Sequence, residues 1–277
     1  MNTFRLMQPS DVQPLEALYT QAFGGSAEHA EMAVSRLVGG QNIYVAEENG
    51  APAAMLLAVP VSIRAHKGVC MAALAVQQAA RGRGLGGGLL EYACEEQKKQ
   101  GCTFAVLAAA EAGQFDFCAA HGFQKAFPLR KLHREIKRNI WSQAEFDAVP
   151  AKKLCELRQE YCPDVVGIRP EEMIPILTEL YSRGITIVSS DEGYGLYFRK
   201  GETLHFIELM ADGDRAAECL MEAAREKEVV VENAEIAIGA DQNLFLGEGR
   251  RTEHGMIRFF GEPFDVSESY LRLILDV

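Results

Sequence analysis

The chain has 277 residues with 28 Lys plus Arg against 39 Asp plus Glu, a formal net charge of −11. Apolar residues make up 48% and charged residues 24%, enough apolar surface to offset chain entropy, which excludes disorder as the main state. The acidic balance argues against a nucleic-acid binder that neutralises phosphates, and at roughly 100–200 residues per domain the length suggests two domains.

Residues 11–23 place Val12, Leu15, Leu18, Tyr19 and Ala22 at helical spacing behind the capping pair Ser10-Asp11. Residues 42–48 read as a strand that turns at Asn49-Gly50, a strong hairpin signal, into a long apolar strand over 53–63. A third strand runs from Gly68 through Val76. After a glycine-rich turn comes a helix to about Lys99, closed by Gly101, and then a strand over 103–109. A short helix over 114–121 stops at Gly122 in the manner of a left-handed C-cap. Alternation from Phe123 to Ile136, broken at Pro128, suggests a closing hairpin.

The second half repeats this order. Helices over 151–161 and 170–182 precede strands over 185–190, 194–199 and 203–210, a helix over 214–227 and a strand over 235–238. The expectation is a duplicated topology with diverged sequence, divided into residues 1–140 and 141–277. Charge divides the same way: 14 basic and 12 acidic side chains in the first part, 14 and 27 in the second.

No secretory signal is visible at the N-terminus. The longest apolar stretch, residues 51–61, contains Pro52 and Pro60 and falls short of the ~20 residues of a membrane span. Seven cysteines without a C-x-x-C pair suggest neither a disulfide framework nor a zinc site. The expected setting is the cytoplasm, with no metal and no membrane partner.

The most informative segment is Leu74-Ala75-Val76-Gln77-Gln78-Ala79-Ala80-Arg81-Gly82-Arg83-Gly84-Leu85-Gly86-Gly87-Gly88-Leu89-Leu90. A strand feeds a glycine-dense turn and then a helix. Such a turn lets backbone N–H groups converge, and the helix start adds unpaired N–H groups and the positive end of its dipole. With Arg81 and Arg83 beside it, the turn reads as a diphosphate cradle. A bare surface turn is the alternative, but five glycines in seven residues would be an entropic liability without a ligand. Gly82-x-Gly84-x-x-Gly87 fits the dinucleotide fingerprint literally, with Glu111 as a ribose-binding acid. Its context fails, because Gln77 to Arg81 intervene and a strand meander precedes it. A phosphate-binding P-loop is excluded, since no Lys-Ser/Thr follows the glycines.

On these residues the chain resembles the GNAT superfamily of acyl-CoA-dependent N-acetyltransferases. Arg81-Gly82-Arg83-Gly84-Leu85-Gly86 matches the motif Q/R-x-x-G-x-G/A, and Phe117-Cys118-Ala119-Ala120-His121-Gly122-Phe123 resembles the family's downstream F-Y-x-x-x-G-F element. The resemblance covers roughly residues 3–136. It implies an α+β fold, a mainly antiparallel sheet flanked by helices, followed by a second GNAT-like α+β domain. It also implies acetyl-CoA as co-substrate, its pyrophosphate on the N–H groups of Gly82, Arg83, Gly84, Leu85, Gly86 and Gly87, with Arg81 beside them. The pantetheine arm would lie along Leu74, Ala75 and Val76 like an added strand.

The acid and base stay open. Cys118 stands where the family often has a Tyr that protonates the departing thiolate. A thiol can donate a proton, but a small core residue is the favoured reading. Glu111 can relay the acceptor's proton through water or be a solvated carboxylate. The carboxylate of Val277, ending the apolar run from Tyr270 to Leu275, is a further candidate base. His121 is read as complementing a helix dipole, His66 as exposed, and the basic run from Arg130 to Arg138 as a solvated strand face.

Where the first copy has its cradle, the second has Met210-Ala211-Asp212-Gly213-Asp214-Arg215. Asp212 and Asp214 would repel a phosphate and cap the helix instead. The second half thus resembles the degenerate domain of tandem members such as the Eis (enhanced intracellular survival) group. The function expected is acetyl transfer from acetyl-CoA to a primary amine of a cationic small molecule or Lys side chain, by direct attack through a tetrahedral intermediate, with the acidic half walling the acceptor pocket. A non-catalytic acyl-CoA sensor is the alternative, and a dinucleotide oxidoreductase a distant third.

Overall fold

A computed structural model describes residues 3–138 and 143–275. The first half opens with β1 (Thr3–Leu6), α1 (Val12–Phe23) and α2 (Ala27–Glu31), which continues as a π-helical turn over Met32–Arg36. Strands β2 (Ile43–Glu48), β3 (Ala51–Ile63) and β4 (His66–Val76) form the expected antiparallel meander, turning at Asn49 and Gly50 with φ of 54° and 79°. Positive φ at both central residues suits the twist of the flanking strands. Helix α3 (Leu85–Lys99) crosses over to β5 (Phe104–Ala108), parallel to β4, and α4 (Ala112–Ala120) leads to β6 (Gln124–Ala126) and β7 (Leu129–Glu135).

The second half begins with α5 (Ala151–Tyr161), β8 (Gly167–Ile168) and α6 (Pro170–Ser182). A second meander follows in β9 (Thr186–Ser190), β10 (Gly193–Lys200) and β11 (Thr203–Ala211). Helix α7 (Asp214–Glu228) crosses to β12 (Asn233–Gly239), parallel to β11, and the short strands β13 (Arg250–Thr252) and β14 (Gly255–Phe259) complete the set. Both halves are therefore α+β, with mainly antiparallel sheets flanked by helices.

The closing hairpin expected from Phe123 to Ile136 does not form. The sheet orders are β1-β2-β3-β4-β5-β14-β6, with β8 on β3, and β13-β7-β12-β11-β10-β9. Strand β6 stays in the first sheet, while β7 pairs with β12 and β13 in the second, and β14 inserts between β5 and β6. The chain changes sheets at Phe127, which is buried with φ of 51°, and at Pro128, whose carbonyl accepts from Ala240 N at 3.0 Å. Alternation fixes which face of a strand is buried but not which strand lies beside it. The expected division at 140/141 falls among residues 139–142, outside the described residues, and strand pairing crosses it in both directions.

The largest core cluster joins the halves, bringing Leu15 and Leu18 of α1 together with Met173, Ile176 and Leu177 of α6 and with Leu271 and Leu273 near the C-terminus. That C-terminal segment is tied to the second half. Val166 N donates to Tyr270 O at 2.8 Å, and Arg158 Nη2 donates to Arg272 O at 3.1 Å. Arg158 is itself fully enclosed. Its Nε lies 3.2 Å from both oxygens of Glu208, and Tyr194 OH donates to Glu208 Oε1 at 2.9 Å. Burial, the largest single influence, works against the charge on Arg158, but Glu208 together with Tyr194, Tyr270 and Cys155 outweighs it and the guanidinium pKa rises. No helix among the described residues is long and apolar enough to cross a membrane.

Candidate active site

Strands β4 and β5 pair only over Gly68–Cys70 and Phe104–Val106. A Cβ on Gly68 would sit 2.2 Å from the Phe104 ring, so glycine is what lets that ring lie across the paired stretch. Beyond it β4 bends at a bulge. Ala73 and Leu74 together oppose Leu56, with Ala73 at φ of 51°, and an unpaired extra residue kinks and twists its strand. The strands part there around a cavity of about 730 Å³. Its first-half wall includes Met71 to Leu74, Leu107, Glu111, Phe117 and Cys118. The second half contributes Glu253, His254, Arg272 and Leu275.

At the far end of β4, Gln77 N donates to Ala53 O at 2.8 Å. Strand alternation then turns the N–H and C=O of Val76 away from β3, and Val76 O indeed accepts from Arg81 Nε at 3.1 Å. Gly82 and Gly84 both hold φ of 77°, with nothing within 4 Å of a Cβ position. They give the turn its left-handed steps and leave the start of α3 open, where the first N–H groups have no intrahelical partner. Arg83 braces the turn, donating to Glu48 Oε1 at 2.6 Å and to Ala79 O at 2.9 Å. The other glycines have a different reason. A Cβ on Gly87 would lie 2.6 Å from His121 Nε2, and one on Gly88 2.6 Å from Phe4 Cζ. Those two let α3 pack against the end of α4 and against β1 whether or not a ligand is present.

The structure brings two of the three acid–base candidates to one cavity. Cys118 lies buried on α4, and burial pushes its thiol up to about 11. Glu111 is exposed at the rim as the N-cap residue of α4, where Gln114 Oε1 accepts from Glu111 N at 3.3 Å and Ala110 N at 2.8 Å. Val277 lies outside the described residues. His121 sits against Gly87 with Nδ1 3.0 Å from Glu91 Oε1, which locks α4 to α3. His66 is not exposed as expected; it stacks on Phe264 with centroids 3.7 Å apart. His254 is a cavity residue that sequence reasoning missed, since only the insertion of β14 beside β5 brings it there; its carbonyl accepts from Ala109 N at 2.8 Å. No group of side chains suited to a metal occurs among the described residues.

The buried thiols imply a pH response. Cys118 and Cys162 are held near 11 and Cys94 near 12, each by burial. In the unfolded chain such thiols ionise near about 8.5. Their contribution to stability is therefore intact below that pH and is lost as pH rises toward 11. The melting temperature is expected to fall across this window, and less steeply once the three are replaced by Ala. Parallel slopes for the two proteins would contradict the assignment.

The corresponding place in the second half is filled by the chain itself. Strands β11 and β12 pair over Thr203–Phe206 and Asn233–Ile236 only. Beyond that, Gln242 Nε2 reaches Leu209 O at 3.4 Å, and Leu244 and Phe245 are buried with Leu209 and Leu220 of α7 in one cluster. Arg130 holds this segment through Nη1 to Phe245 O at 2.6 Å and Glu248 O at 3.0 Å, and through Nη2 to Gln242 O at 2.9 Å and Leu244 O at 2.6 Å. Two expectations are corrected here. Arg130 is a buried clamp rather than part of a solvated face, because it satisfies four carbonyls that strand pairing does not. Asp214 does not cap α7; Gly213 is the N-cap residue, and Asp214 Oδ1 accepts from Phe245 N at 2.6 Å.

Residues 39–125 match the family model described as an acetyltransferase (GNAT) domain. No curated protein sequence matches the chain. Among solved structures, the chain is similar to a GCN5-related N-acetyltransferase from Anabaena variabilis ATCC 29413, with a TM-score of 0.74 at 15% identity, over 94% of this chain and 73% of that one. Eis1 from Mycobacterium abscessus gives 0.67 at 14% identity, over 93% and 73%. A tandem GNAT protein from the clavulanic acid biosynthesis pathway gives 0.57 at 15%, over 96% and 100%. At these identities the likeness is one of fold.

Proposed function

We propose, on the premise that residues 39–125 are a GNAT acetyltransferase domain, that the chain is an N-acetyltransferase moving an acetyl group from acetyl-CoA to a primary amine. The observation that carries this reading is the contrast between the copies. The β4/β5 opening is a cavity served by a glycine turn, whereas the β11/β12 opening is filled by Leu244 and Phe245. The first site fits the co-substrate, since Gly82 and Gly84 leave open space where side chains would stand. The N–H groups of residues 82–87 would hold the diphosphate, and the edge of β4 at Leu74, Ala75 and Val76 the pantetheine arm. Bound there, acetyl-CoA supplies an acyl thioester.

The chain's own residues do the rest. Val76 N–H, turned away from β3, is a donor for the acyl oxygen. The acceptor must be a neutral amine to react, and in this reading Glu111, at the cavity rim, would take its proton through water. Cys118 is a poor acid for the leaving thiolate. A thiol held near 11 gives its proton uphill to a thiolate whose conjugate acid has pKa about 8.5. In this reading Cys118 shapes the wall, and positioning carries the rate. Charges on the cavity wall are mixed, Glu111 and Glu253 against Lys131 and Arg272, so the preference for a cationic acceptor rests on the second half's overall acidity. Among the described residues the cysteines form no disulfide, which suits a reduced compartment such as the cytoplasm.

Thiol release from acetyl-CoA against a panel of amines tests this. Amine-dependent release is the expected result. Acetyl-CoA binding with no release above hydrolysis would instead favour a non-catalytic acyl-CoA sensor, a reading that the raised Cys118 thiol supports.

A further inference from the structure

A second cavity, of about 570 Å³, lies between the α1–α2 corner of the first half and α6 of the second. The C-terminal segment runs alongside both cavities. Arg272 and Ile274 line the active-site cavity, Leu273 lines the second, and Leu275 and Phe23 border both. Leu273 and Leu275 hold φ of 73° and 57°, a conformation that costs a branched residue energy and persists only where the surroundings hold it. Here the surroundings include the buried Arg158, which grips Arg272 O.

Three side chains from three helical segments make the polar end of the second cavity. Tyr19 OH lies 2.8 Å from His29 Nε2, and His29 Nδ1 meets the Glu179 carboxylate, 150 residues away in sequence. A carboxylate only accepts, so Nδ1 carries a proton toward Glu179, and in the neutral imidazole Nε2 accepts from the Tyr19 hydroxyl. Burial pushes the Tyr19 hydroxyl up to about 12, with Glu179 adding to the effect, so it remains a donor. This row orients Glu179 with one oxygen on His29. The other has Ser182 Oγ at 3.4 Å, which leaves acceptor capacity at the cavity wall. Met32, Ile176 and Leu180 make the adjoining wall apolar.

We propose that this second cavity is a binding site for a cationic amino group at the far end of the acceptor. The acceptor is then a molecule with two amines on an apolar spacer, running past Phe23, its reacting amine in the β4/β5 cavity and its second charge on Glu179. The proposal rests on the acetyl-transfer reading for the first cavity only, since binding in the second is measurable without turnover. Arg183 lines the same cavity and defines the competing ligand, an amine carrying a carboxylate at its far end.

The test is calorimetry with a series from diaminobutane to diaminooctane, beside the matching alkylamines and aminoalkanoates, on the full chain. One diamine of the series is expected to bind about tenfold or more tighter than its monoamine. Glu179→Gln should remove that difference while acetyl-CoA affinity stays as in wild type. Glu179→Asp, which keeps the charge, should restore part of it, and an unchanged melting temperature shows that both variants fold. Equal affinities for diamine and monoamine, tighter binding of the aminoalkanoate, or a diamine preference that survives Glu179→Gln would each overturn the proposal. Diamine binding without any thiol release would leave this site standing and overturn acetyl transfer. Thiol release with no diamine preference would do the reverse.

Discussion

Replacing Gly84 by Asp is expected to abolish acetyl-CoA binding in calorimetry while leaving the fold intact. Gly84 is the N-cap residue of α3 at φ of 77°, and no heavy atom lies within 4 Å of its Cβ position. Asp is among the few side chains that visit this left-handed backbone region, so the cost in stability is about 1–2 kcal/mol. What changes is charge. A carboxylate at the start of α3 cancels the positive end of the helix where a diphosphate would sit, and it repels that group directly. A loss of more than about a hundredfold in affinity is expected, equivalent to about 3 kcal/mol. Gly84→Asn has nearly the same shape without the charge and should lose much less. Affinity within a few-fold of wild type for the Asp variant would show that no anion binds there.

The second large effect lies in the buried pair. Glu208→Gln leaves the Arg158 guanidinium enclosed without its counter-charge, and Arg158→Met leaves Glu208 with Tyr194 alone. Breaking a buried pair by removing one partner costs about 3–5 kcal/mol, because the surviving charge has no compensation and no water. The double variant should lose clearly less than the sum of the two, since Gln at position 208 still accepts from Tyr194 OH and no ion remains. Urea unfolding measures all three. Additive losses of less than about 1 kcal/mol each would mean that the pair is hydrated. Arg158→Met should also loosen residues 272–275, visible as faster amide exchange there, since it removes the bond to Arg272 O.

Much of the fold was legible because it is written locally. Asn49-Gly50 marks a tight turn. The helices at 151–161 and 170–182 match residue for residue, and apolar spacing gave the faces of both meanders. The exchange of β7 and β14 was not legible, because alternation in Leu129–Glu135 specifies a half-buried strand and is silent about its neighbour. The site divided along the same line. The cradle was visible as composition, but only the packing separates Gly82 and Gly84, which leave room, from Gly87 and Gly88, which make contacts. Asp212 and Asp214 suggested that the second copy had lost its ligand through charge. The fuller cause is Phe245, a residue with no motif, held in place by Arg130 from the other half. Tyr19, His29 and Glu179 carry no spacing signal at all, because folding alone brings them together.

Titration of the wild-type chain with acetyl-CoA in a calorimeter, read for stoichiometry, bears most directly on the difference between the two halves. One molecule bound per chain is the expected result, with the heat lost in Gly84→Asp. No heat, or two molecules per chain, would contradict it: the first by showing the glycine cradle to be a bare turn, the second by showing that Leu244 and Phe245 do not close the other copy.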